Sequence, residues 1–154
     1  MKSLDLSVLP QRFAVCQLRP DADLSFLDRL AVSRFWSITR TGKEVSVVMV
    51  EDLALPAWKT EKGWRCLQVR GPLAFDMTGV LASLVTPLAE AAISVFAIST
   101  YDTDYLLLRD ADLPKAETVL AAHGHTIQRV RQDAANTDLC PELRGGAHKK
   151  DERP

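Results

Sequence analysis

Residues 65–109, RCLQVRGPLAFDMTGVLASLVTPLAEAAISVFAISTYDTDYLLLR, switch hydrophobic period twice, and the rest of the chain is read outward from that switch. RCLQVR alternates, with Leu67 and Val69 on one side and Gln68 and Arg70 on the other, as a strand does. Gly71 and Pro72 break it and open the loop GPLAFDMTG. From Gly79 the spacing turns helical: Val80, Leu81, Leu84, Val85, Leu88 and Ala92 fall along one face. Thr78 stands at the expected N-cap, and Pro87 predicts a kink or an early end, because it removes a donor. Ile93 to Thr100 is apolar and β-branched, Tyr101 to Asp104 has turn chemistry, and Tyr105 to Arg109 is apolar again. Asp112 and Pro114 open a second helix that buries Ala116, Val119 and Leu120 and closes at Gly124; His125 to Val130 is a last strand. The order βαββαβ predicts a ferredoxin-like α+β unit, an antiparallel sheet with helices on one face.

The preceding residues read as a shortened copy of that unit. Arg12 to Arg19 is a strand, Leu24 to Ala31 a helix, and Arg34 to Arg40 and Glu44 to Val50 are strands joined by the turn Thr41-Gly42-Lys43. Glu51 to Gly63, with Pro56 inside it, is too short for a further helix and strand. A borrowed strand is therefore expected, from Trp58–Glu61 or from the C-terminal segment. The expected division is 11–62 for the incomplete first module, 63–131 for the second, and 132–154 for a disordered polar tail.

Composition narrows the function classes. Nineteen basic against twenty acidic residues give a net charge of -1, so there is no global positive field to draw in nucleic acid or an anionic membrane. No run approaches the roughly 20 apolar residues of a membrane helix, and MKSLDLSVLPQRF lacks the apolar stretch of a signal peptide. Cys16, Cys66 and Cys140 are widely spaced and odd in number, which argues against a disulfide framework and for the cytoplasm.

GPLAFDMTGVLASLVTPLAEAAIS at 71–94, followed by ISTYDTD at 98–104, resembles the small bacterial tandem ACT domain proteins, which are related to the modules of eukaryotic cytosolic arginine sensors. The resemblance is close over 64–125 and weaker over 12–58. It implies ACT modules in tandem that pair side by side, a homodimer, and amino-acid ligands held at module interfaces. It also implies a regulatory protein and not an enzyme.

The residues themselves suit such a ligand. A helix start offers open N–H groups to a carboxylate, and Thr78, Gly79 and Val80 supply one; Gly79 removes the Cβ that would block approach. Asp104 matches the acidic residue of the sensor motif and would meet a cationic group. Thr100 and Tyr101 would add backbone and hydroxyl contacts, with Asp76 and Asp102 as second-line acids. Each has a plainer reading: Thr78 as a cap, Gly79 as a tight turn, Asp102 and Asp104 as β-turn residues.

Other chemistries find less support. His123-Gly124-His125 straddles a helix end and has no third ligand at metal-site spacing. No P-loop, G-x-S-x-G or dinucleotide motif is present, Ser94 and Ser99 have no histidine base, and no cofactor is expected. An RNA-binding module would need aromatic central strands and a basic face. The competing reading is a ligand-independent dimerisation module whose sheet edges pair between chains.

Overall fold

The computed structural model describes residues 3–130. The polar tail expected to be disordered lies outside the described residues. The elements are β1 (Asp5–Val8), β2 (Phe13–Leu18), α1 (Leu27–Leu30), β3 (Ser37–Arg40), β4 (Val45–Val50), β5 (Lys59–Val69), α2 (Val80–Glu90), β6 (Val95–Ser99), β7 (Asp104–Arg109), α3 (Leu113–Ala122) and β8 (Thr126–Arg129).

β5 organises the molecule. Its first half pairs antiparallel with β2, matching Lys59, Thr60 and Glu61 with Gln17, Cys16 and Val15. Its second half pairs with β7 on one edge and β1 on the other. One 11-residue strand therefore runs through the expected boundary at 62/63 and belongs to two branches of sheet. The first branch runs β5-β2-β4-β3 and the second β8-β1-β5-β7-β6. Gly63 has φ +79, and the β2–β5 register shifts between Phe13 and Val15 beside it, so the strand turns there in a conformation that glycine adopts without strain.

β1 has no counterpart in the sequence reading. It inserts between β5 and β8 and pairs parallel with β8, Leu6 opposite Ile127, so the second branch is mixed and not wholly antiparallel. The alternation of Leu4, Leu6 and Val8, all buried, was its only local signal. The expected helix over 24–31 shrinks to one turn. Asp23 accepts hydrogen bonds from both the backbone and the hydroxyl of Ser25, a local pairing that competes with helix. Thr41 closes the β3–β4 hairpin, its N–H donating to the Glu44 carbonyl at 2.8 Å.

Period-two alternation divides the core. Leu67, Val69, Leu106 and Leu108 face α2 and α3 and pack on Leu84, Leu88, Ala116 and Leu120. Ala14, Cys16, Val45, Val47 and Met49 face α1 around Leu30. The opposite faces of both branches meet each other, Phe13 and Val48 from one with Cys66 and Leu107 from the other. The helices thus lie on one face of each branch, and the helix-free faces form the join.

Candidate functional site

The loop from Gly71 to Gly79 is held against the β6–β7 turn. The Leu73 N–H donates to the Asp102 carbonyl at 2.8 Å. A Cβ on Gly71 would stand 2.8 Å from that same oxygen, so only glycine permits the approach. The Gly71–Pro72 peptide is cis.

Gly79, not Thr78, is the N-cap of α2. Its φ of +78 brings the chain into the helix through the left-handed region, and no side chain caps the start. Thr78 is one residue too early to cap. The first-turn amides precede the first helical bond and have no partner carbonyl within the helix, so the helix start offers donors. α2 runs through Pro87 to end at Glu90, as an early stop three residues past the proline. Thr78, Gly79 and Val80 line a cavity of about 490 Å³ together with Leu4, Ser83 and Thr86; Glu90 and His123 also reach it.

The turn is largely self-satisfied. The Thr100 N–H and hydroxyl both donate to the Thr103 carbonyl, and the Thr103 hydroxyl donates to the Val69 carbonyl. The Ser99 hydroxyl donates to Asp104, its partner across the β6–β7 ladder. Tyr101 is exposed and meets the exposed Phe75 edge to face, with centroids 4.8 Å apart. Thr100 lines a second cavity of about 520 Å³, with Gln68, Asp102 and Tyr105 among its walls. Burial, then the neighbouring Cys66 and Asp102, pushes the Tyr105 hydroxyl up. The six predicted residues therefore divide: Thr78, Gly79 and Val80 share one cavity, Thr100 lines another, and Tyr101 and Asp104 line neither.

Leu4, Ser83 and His123 join the first cavity, although none of them was expected as a ligand contact from the sequence. Leu4 does so from the position just before β1, a strand not expected from the sequence, whereas Ser83 sits one turn along the helix face that begins at Gly79. Ser83 donates its hydroxyl to Val80 at 2.7 Å, and its N–H closes the first helical bond to Gly79 at 2.9 Å. His123 turns its Nδ1 to the Val119 carbonyl at the end of α3, 2.9 Å away, while His125 is buried between Leu4 and Ser83. Among the described residues no group of three or more His, Cys, Asp or Glu is placed to hold a metal, and no helix is long and apolar enough to cross a membrane.

A family model described as an ACT domain matches residues 59–122. The chain is 29% identical to the bovine cytosolic arginine sensor for mTORC1 subunit 1, over 86% of this chain and 49% of the sensor. It thus spans about half that relative's length. It is 32% identical to the human protein CASTOR3P, over 71% of this chain and 75% of that protein. The crystal structure of an Agobacterium tumefaciens protein shares 32% identity and superposes with a TM-score of 0.78, covering 86% of this chain and 97% of that one.

Proposed function

The chain belongs to the ACT domain family, and on that premise we propose that it is a regulatory amino-acid-binding protein of the cytoplasm, not an enzyme. The observation that carries this reading is the uncapped start of α2 opening onto a largely apolar cavity. A free amino acid brings a carboxylate for the helix amides and a side chain for the apolar walls. The similarity to a protein named as an arginine sensor makes arginine the first ligand to try.

The proposed contacts are Thr78, Gly79 and Val80 for the carboxylate, and Thr100, Tyr101 and Asp104 for the cationic end. Because Thr100 lines a different cavity from the helix start, and Tyr101 and Asp104 line neither, we place the complete site at an interface between two copies, with the turn of one copy facing the helix start of the other. The modules are taken as 11–62 and 63–131, with β5 shared between them. Binding would favour one packing of the modules by its difference in affinity for the alternatives.

Ligand-independent dimerisation has one observation in its favour. Among the described residues β6 pairs only with β7, and VFAIS carries no charge, whereas the other edge strands β3 and β8 carry Arg40 and Arg129. A thermal-shift screen of the whole chain against the twenty amino acids separates the two readings. A ligand specific to the folded state adds about 2.7 kcal/mol at a hundredfold excess over its dissociation constant. A shift with one or a few amino acids supports the sensor; no shift at millimolar concentration supports the dimerisation module.

A further inference from the structure

His125 is 5% exposed and touches two walls of the α2 cavity without lining it. The Leu4 N–H donates to its Nδ1 at 3.3 Å. An N–H can only donate, so Nδ1 keeps its lone pair and the neutral ring carries its proton on Nε2. That nitrogen stands 3.4 Å from the Ser83 carbonyl and donates to it. Ser83 needs this donor for a reason written in the sequence: the residue four positions on is Pro87, which has no N–H. Leu4 and Ser83 both line the cavity, one from the residue just before β1 and the other from α2.

We propose that His125 is a positioning residue for ligand binding, one imidazole that spaces β1 from α2 by bonding Leu4 on one nitrogen and Ser83 on the other, and so sets the width of the cavity. The proposal rests on the reading that this cavity takes an amino acid. Neighbouring contacts align the parts that the ring joins: the Ser3 hydroxyl donates to the Gly124 carbonyl at 2.6 Å, and the Thr126 N–H donates to the Leu4 carbonyl at 2.9 Å. With β1 in register on both sides, the ring fixes the one remaining distance, from the start of that strand to the helix.

The test uses the full chain as wild type, His125→Phe and His125→Gln, with the twenty amino acids as probes and calorimetric titration of any that shift the wild type. The phenyl ring fills the space but offers neither bond, and affinity is expected to fall about tenfold while circular dichroism still reports a folded chain. The glutamine amide has both an acceptor and a donor and should restore most of the affinity, along with slow exchange of the Leu4 amide. A purely structural role would lower the melting temperature and leave the affinity of the folded protein unchanged, and that result in His125→Phe overturns the proposal. Should His125→Phe not fold, His125→Asn decides the matter: it keeps an acceptor near Nδ1 but cannot reach Ser83, and wild-type affinity in it overturns the proposal. If no amino acid binds the wild type, the ligand reading itself fails and this role falls with it.

Discussion

Phe35 and Tyr105 stack with centroids 4.3 Å apart and planes 25° from parallel, joining the segment before β3 to the middle of the second branch. Phe13 meets the edge of Phe35 at 5.6 Å, and Gln68 donates to the Tyr105 hydroxyl at 3.2 Å, so the pair is fixed from both sides. This is where the helix-free faces are locked together. Phe35→Ala is expected to lower unfolding stability by about 3 kcal/mol, through lost burial and the cavity left behind. Urea denaturation measures it, and a loss under about 1 kcal/mol would mean that the join is loose.

Gly71→Ala should be costly although Gly71 is not among the positive-φ glycines. The new Cβ would meet the Asp102 carbonyl at 2.8 Å, and a backbone oxygen cannot swing aside as a side chain can. A destabilisation of about 1–3 kcal/mol is expected. A neutral result in a melting experiment would show that the loop and the turn separate freely.

Gly79 and Thr78 should respond in opposite order to a simple capping rule. Gly79→Ala places a Cβ in open space but at φ +78, for a backbone cost of about 1 kcal/mol. Thr78→Ala removes no capping bond and should cost less than about 0.5 kcal/mol. Melting temperatures of the two variants decide; the reverse order would return the cap to Thr78.

Cys66 makes stability depend on alkaline pH. Burial alone pushes its thiol far above the usual range, so it stays protonated in the folded chain. In the unfolded chain a thiol loses its proton near pH 8.5. Above that pH the folded state holds the extra proton, and stability falls as pH rises, by up to about 1.4 kcal/mol per unit. Cys66→Ala should flatten the decline between about pH 9 and 10, although Cys16, raised by its own burial, keeps part of it. An unchanged slope in the variant would place the buried thiol elsewhere in the balance.

Asp104→Ala tests the proposed cation contact. If the carboxylate meets a ligand's charged group, its loss should weaken binding by about 1.5 kcal/mol or more. In the folded chain the carboxylate only accepts from the Ser99 hydroxyl at an exposed rim, so the stability effect should be small. Equal affinity for a ligand shown to bind the wild type would remove Asp104 from the site.

The second βαββαβ unit was legible from residues 65–130 alone, because its strands alternate in twos, its helices repeat near 3.6, and Gly71, Pro72 and Gly124 punctuate them. The start of a helix near Gly79 was equally local. The cap was not: Thr78 and Gly79 are both acceptable there by residue type, and only the path of the preceding loop over Asp102 brings the backbone in at positive φ. β1 was out of reach for a related reason. Four residues of alternation are too short to identify a strand, and Asp5–Val8 is stabilised by β5 and β8, more than 50 residues away. The double use of β5 and the separation of the six predicted residues belong to the same class. Sequence period says which face of an element is apolar; which element covers that face, and which cavity a loop residue borders, are settled by contacts between distant segments.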